Sequence, residues 1–266
     1  MRIKNGKKCL FSVFLAFTLL LTAQPATILA VDGKNTSLYN NSLDISQGNS
    51  SRNFPVSFEE GKAYLITAEW DEIPVFSGSL TGWSLQTASG ESATADGDLI
   101  IKTSKRQITS GVGNSVQAYT GIFVPVQDMS ELRLNVQGLV SANRITLSVE
   151  PAEKEENLLL DATISVDSDM EYISAYFDAN FEAGKTYDIS ASWSQAPLFT
   201  DENENKTAWK VQAAQDSDVA GDDDIIYKIT ASGNTAPQGY SGVYFCDADK
   251  PVFNFFAQRL NTNNQM

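Results

Sequence analysis

Phe58–Trp70 reads FEEGKAYLITAEW, and Phe181–Trp193 reads FEAGKTYDISASW. Eight of the thirteen positions are identical. In the first copy Tyr64, Ile66, Ala68 and Trp70 fall on one side of an extended chain, as do Tyr187, Ile189, Ala191 and Trp193 in the second. Between them the second copy carries Asp188, Ser190 and Ser192, which belong in water. Apolar residues at every second position describe a strand with one buried face. Gly61 and Gly184 stand where a tight turn must lead into that strand. The recurring residues are turn formers and inward-facing hydrophobes, so the motif specifies a fold built twice rather than a shared active site.

The repeat extends beyond the motif. DEIPVF after Trp70 answers SQAPLF after Trp193. Gly82–Ala88 (GWSLQTA) matches Ala208–Ala214 (AWKVQAA), and Asp96–Thr103 (DGDLIIKT) matches Asp222–Ile229 (DDDIIYKI). Tyr119–Val124 (YTGIFV) matches Tyr240–Phe245 (YSGVYF), and Leu132–Leu139 matches Phe253–Leu260. Length differences fall between these blocks, where loops lie. Short alternating segments separated by turn signals, such as ADGD at Ala95–Asp98, predict an all-β protein of two tandem β-sandwich domains. Trp70, Trp83, Trp193 and Trp209 are then core residues. The expected boundaries are a signal peptide over 1–30, a loose segment over 31–53, repeat one over 54–150, a charged linker over 151–157 and repeat two over 158–266. The first repeat ends in RITLSVE (Arg144–Glu150), whereas only NTNNQM follows Leu260. The last strand of repeat two is therefore missing or supplied by LLLDATISV (Leu158–Val166); if neither fills the place, an edge is open to strand addition or self-association.

Arg2, Lys4, Lys7 and Lys8 precede the apolar run CLFSVFLAFTLLL and then TAQPATILA, the pattern of a cleaved secretory leader ending at Ala30. Its removal leaves 15 basic residues against 33 acidic ones, a net charge of −18. Such a chain is repelled by nucleic acid and by anionic membranes. No later stretch is apolar for long enough to span a bilayer. The leader takes Cys9 with it, so Cys246 is the one remaining thiol and no disulfide within the chain can form. The chain has no histidine, which excludes Ser-His-Asp and Cys-His catalysis and imidazole metal ligands. Together these features predict a secreted, disulfide-free bacterial protein, extracellular or loosely held at the surface, that is not an enzyme.

Function on such a scaffold sits in loops. The loop after the first Trp differs most between the copies. There Phe76 and Phe199 occupy equivalent places, flanked by Asp71 and Glu72 in one repeat and by Asp201, Glu202 and Asn203 in the other. Aromatic rings that stack on a sugar, with carboxylates and amides for its hydroxyls, would make a ligand site; rings folded back onto the core would make a lid. A second loop, DSDVAGDDD, gathers Asp216, Asp218, Asp222 and Asp224, oxygen donors suited to Ca2+ but without the spacing of an EF-hand.

AGKTYDISASW, with the later strands YSGVYF and FNFFAQ, resembles the jelly-roll carbohydrate-binding modules of bacterial secreted glycosidases. The resemblance covers each repeat and implies a jelly-roll sandwich that binds a glycan or cell-envelope polymer. The chain departs from it at Ala63, where those modules have Thr, and shows no exposed aromatic row. Gly82-Trp83-Ser84-Leu85 is also similar to the Trp-x-Leu motif of some Gram-positive wall-binding surface proteins; the second copy has Trp209-Lys210-Val211. The expected role is thus non-catalytic binding of a glycan or envelope polymer. The alternatives are a structural or adhesive surface component that binds proteins, and a subunit of a secreted toxin.

Overall fold

The computed structural model describes residues 1–5, 37–77, 80–89, 97–105, 112–153, 155–167, 170–200, 206–215, 224–231 and 234–266. Among these residues every regular element is a strand. The first is β1 (Arg2–Asn5). Repeat one follows with β2 (Tyr39–Ile45), β3 (Gly48–Phe58), β4 (Ala63–Trp70), β5 (Val75–Ser77), β6 (Leu80–Ala88), β7 (Leu99–Lys105), β8 (Val112–Asn114), β9 (Ala118–Phe123), β10 (Met129–Leu139) and β11 (Asn143–Ala152). Repeat two has β12 (Leu158–Val166), β13 (Met170–Phe181), β14 (Thr186–Ser192), β15 (Thr207–Ala214), β16 (Asp224–Thr230), β17 (Gly239–Phe245), β18 (Lys250–Leu260) and β19 (Asn264–Gln265).

Within repeat one, β2, β11, β4 and β9 lie side by side in one sheet, and β3, β10, β6 and β7 in the other. This is the jelly-roll order, in which the first strand lies beside the last and the second beside the next to last. β2 and β3 thus supply two of its eight main strands, although 31–53 reads as loose apart from a short strand around Leu43–Ser46: Asn, Ser and Gly mask a segment whose Leu43 and Ile45 pack on the core, as do Phe54 and Val56 just beyond it. The linker shortens as well, because β11 runs on to Ala152.

The opening motif accounts for its own recurrence. Phe58 meets Tyr64 edge-on at 5.1 Å, and Phe181 meets Tyr187 at 4.9 Å. Each Tyr hydroxyl accepts the backbone N–H of the Glu in the turn, from Glu59 at 2.8 Å and Glu182 at 2.6 Å. Lys62 pairs with Glu59 and Lys185 with Glu182, both at 2.6 Å, across a glycine at φ +73° and +75° respectively. The later Tyr-x-Gly is equally local. Tyr119 and Tyr240 fold over Gly121 and Gly242 on the same face of the strand, where a Cβ would collide with the phenol. The indoles pair edge to face, Trp70 with Trp83 at 6.3 Å and Trp193 with Trp209 at 6.5 Å. Large aromatic pairs of this kind dominate core energetics.

The two units are not separate sandwiches. β12 of repeat two pairs with β9 of repeat one from Asp161↔Ile122 to Ser165↔Ala118, and β13 pairs with β7 from Ser174↔Ser104 to Tyr176↔Lys102. Both sheets therefore run on from one unit into the next, as one nine-stranded and one ten-stranded antiparallel sheet. The tandem domains expected from the repeat are merged into one sandwich with an internal duplication, because each unit brings two of its four outer strand edges to the seam, where they pair.

The eighth strand of repeat two is not supplied by Leu158–Val166, which as β12 is the counterpart of β2. Its place, between β14 and β12, is taken by two short pieces. Asn264 and Gln265 pair with Val166 and Ser165, and Arg2 to Asn5 pair with Ser190 to Tyr187. The latter register reproduces Ser148 to Pro151 against Thr67 to Tyr64 in repeat one. Ile164 exchanges 3.0 Å hydrogen bonds with Met266, and the Met1 ammonium donates to the Ala162 carbonyl at 2.9 Å. Burial pulls that amine's pKa below its usual value, against the opposing pull of Asp161. Ile3 is fully buried, and Arg2 and Lys4 both contact Glu155.

Two stability predictions follow from these contacts. In the full-length chain, Ile3→Asp places a carboxylate in the core and lowers unfolding stability by about 3 kcal/mol in denaturant titration, where a free leader would show no effect. Trp83 Nε1 donates to the Val116 carbonyl at 2.9 Å, whereas Trp70 Nε1 is buried with no hydrogen-bond partner. Trp83→Phe is therefore expected to cost about 1–2 kcal/mol more than Trp70→Phe in the same titration.

Candidate functional site

Phe76 and Phe199 do not line a ligand surface. Each is 1% exposed, with Phe76 set edge-on against Trp70 at 6.5 Å. β5 turns Phe76 inward by pairing it with Leu139, and an isolated bridge from Phe199 to Leu260 does the same in repeat two. Both rings close the end of the core, so of the two roles open to them from sequence it is the lid that they take, and their place among the ligand-binding candidates is corrected. Asp201, Glu202 and Asn203 lie outside the described residues, as do Asp216, Asp218 and Asp222, Ala95 and Asp96 of the ADGD turn, and residues 6–30 of the leader. Asp224 accepts the Tyr244 hydroxyl at 2.7 Å and stands 3.7 Å from the Lys250 ammonium, so it already has partners inside the fold. Burial and that hydrogen bond raise the Tyr244 pKa. Among the described residues no group of three or more His, Cys, Asp or Glu is arranged to hold a metal.

Asp71 and Glu72 do come together with other polar groups. They line a rim pocket of about 370 Å³ with Asp44, Asn143 and Arg144. The Asp71 N–H donates to the Arg144 carbonyl at 2.9 Å. Asn143 clips the loop: its Nδ2 donates to the Glu72 carbonyl at 2.8 Å, and its Oδ1 accepts from the Glu72 N–H at 3.3 Å. Arg144 Nε meets Asp44 Oδ1 at 2.8 Å, and this hydrogen bond holds the Asp44 carboxyl below the usual range.

The same clip exists in repeat two without the charges. Asn264 accepts from Ser194 Oγ at 2.8 Å and donates to the Gln195 carbonyl at 3.0 Å. Gln265 Nε2 donates to Ser165 Oγ at 3.1 Å, in the places of Arg144 and Asp44. The fold thus closes this corner with Ser, Gln and Asn alone. The Asp, Glu and Arg of repeat one are not required by the architecture, which leaves them available to a polar ligand. Sequence reading found Asp71 and Glu72 but missed Asn143 and Arg144; the recurrence of Asn at 143 and 264 was the available signal.

A second concavity, of about 400 Å³, lies where the two units meet. Leu99, Tyr119 and Ile122 of repeat one face Leu159, Asp178 and Asn180 of repeat two across it. Asn180 adopts φ +43°, a left-handed conformation that Asn tolerates better than most residues. Burial, and then the nearby charge of Asp98, push the Asp178 pKa up to about 6. An acid whose pKa is higher folded than unfolded stabilises the fold below its unfolded value near 4 and loses that contribution as pH rises through about 6. Asp178→Asn is therefore expected to flatten the fall in stability between pH 4 and 7 and to raise stability at pH 8 by about 2 kcal/mol, read from urea midpoints across the range. A parallel pH profile in the variant would remove Asp178 from that role.

The pocket and the cleft are thus defined by this chain's own residues: no protein-family model matches it, and no match among curated proteins was found.

Proposed function

We propose that this chain is a secreted, non-catalytic bacterial surface component whose work is structural or adhesive. One observation carries the reading: both sheets pass from one unit into the next through main-chain pairing. Pulling the units apart must break two ladders together, which suits a rigid, load-bearing element better than a pair of independently swivelling binding modules. The burial of Phe76 and Phe199 favours the same ranking, since it removes the aromatic platform that the glycan reading relied on. Export by the leader would withdraw Met1–Asn5 from its slot beside β14, so a secreted form needs another strand there.

A second reading rests on the charged rim. Asp71, Glu72, Asp44, Asn143 and Arg144 offer carboxylates, an amide and a guanidinium to the hydroxyls of a glycan or envelope polymer. The two readings part in a binding assay on bacterial and host cells. Adhesion to protein survives periodate oxidation of surface glycans and is lost after protease treatment of the cells. Loss on periodate treatment, together with a roughly tenfold weaker retention of Asp71→Ala/Glu72→Ala on polysaccharide, would overturn the structural reading in favour of the glycan one.

A further inference from the structure

The seam between the two units has a property that the ends of the molecule share. Four of the main strands carry an edge with no strand partner among the described residues: β2 and β3 at one end, β17 and β16 at the other. They are not arbitrary edges. By the internal repeat, β2 and β3 are the counterparts of β12 and β13, and β17 and β16 are the counterparts of β9 and β7. The strands that meet at the seam are thus present a second time, unpaired, at opposite ends of the same chain. We infer that the β2/β3 end of one molecule pairs with the β17/β16 end of another, repeating the internal seam and building an open head-to-tail filament. The inference rests on the structural reading above and names its partner as a second copy of this chain.

The register follows from the seam. Asp161↔Ile122, Thr163↔Thr120 and Ser165↔Ala118 translate into Asn40↔Val243, Ser42↔Ser241 and Asp44↔Gly239. Ala175↔Thr103 translates into Arg52↔Ile229. The side chains agree with this. Among the described residues, the large exposed hydrophobics include Leu38 at one end (44% exposed) and Val243 (65%) and Phe245 (61%) at the other. Leu38 is the counterpart of Leu159, and Val243 and Phe245 are those of Ile122 and Val124. All three counterparts line the seam cleft and are partly covered there. Leu38 of one copy would thus come to lie against Phe245 of the next. Natural edges that stay unpaired carry inward charges, proline or bulges, and β17 (GYSGVYF) has none of these. The two ends differ, so the contact is heterologous and propagates rather than closing as a symmetric dimer.

The test is a disulfide that only assembly can form. In the first sheet β2 and β17 are its two outermost strands, seven strand spacings or about 34 Å apart within one chain. Cysteines at 42 and 241 therefore cannot join within a molecule. Ser42 and Ser241 are exposed, so both substitutions leave the fold intact. Full-length Ser42→Cys/Ser241→Cys, oxidised at high protein concentration, is expected to give a ladder of covalent dimers, trimers and longer species. The parent chain, with its own Cys9 and Cys246, sets the background. Ser42→Cys/Val243→Cys, out of register by two residues, should cross-link far less, and Val243→Lys/Phe245→Lys should sediment as monomer with an unchanged circular dichroism spectrum. A monomer at all concentrations, a closed dimer, pairing with a different protein in place of self, or equal ladders in and out of register would each overturn the inference. A strict monomer that still adheres to protein-coated cells refutes the filament alone, whereas a ladder without adhesion refutes the adhesive role and leaves the filament.

Discussion

A strand at the border of a sheet exposes a row of N–H and C=O groups, and what those groups pair with governs this molecule. Each unit closes its core between two four-stranded layers, and closure of the core does nothing for the four outer edges. The chain resolves half of them internally by running β12 along β9 and β13 along β7. It resolves the vacancy beside β14 with whatever strand is at hand, here Met1–Asn5 and the last three residues laid end to end along β12. The seam, the slot and the free ends are one problem met in three places.

The cores, by contrast, are self-sufficient and alike. Phe58 on Tyr64 and Trp70 against Trp83 recur as Phe181 on Tyr187 and Trp193 against Trp209, with the same hydroxyl-to-turn hydrogen bonds. Even a shortfall is conserved between the copies: the Nε1 groups of Trp70 and Trp193 are both buried without a partner, while those of Trp83 and Trp209 reach the Val116 and Pro237 carbonyls. Duplicated packing of this kind leaves divergence to the rim, where Asp44, Asp71, Glu72 and Arg144 face Ser165, Ser194, Gln195 and Gln265 as neutral equivalents.

Of the candidate site, the part carried by residue type was legible. Asp71 and Glu72 stood out as carboxylates in the variable loop that also holds Phe76. Phe76 and Phe199 were ambiguous for a physical reason: a loop side chain has no periodicity to say which way it points, and pairing with Leu139 or Leu260 decides it. Asp178 was out of reach altogether. Its raised pKa needs burial at the seam and the charge of Asp98 from the other unit, and neither is local in sequence.

Alternation of apolar residues determined the strands, their buried faces and the duplication, because the pleat repeats every two residues and transmits that period to the side chains. It carried the all-β class, the sandwich and the core roles of the four tryptophans, while turn chemistry gave Gly61 and Gly184 their places and the jelly-roll order was implied by the resemblance alone. Only the tertiary structure decided that the two units share their sheets, that Asn40–Asp44 and Tyr240–Phe245 are left at opposite ends, and that Ile3 is buried in a strand lying between β14 and β12. Those choices are made by backbone hydrogen bonds, which every residue but proline can form in both directions and which therefore leave almost no mark on the identity of the side chains.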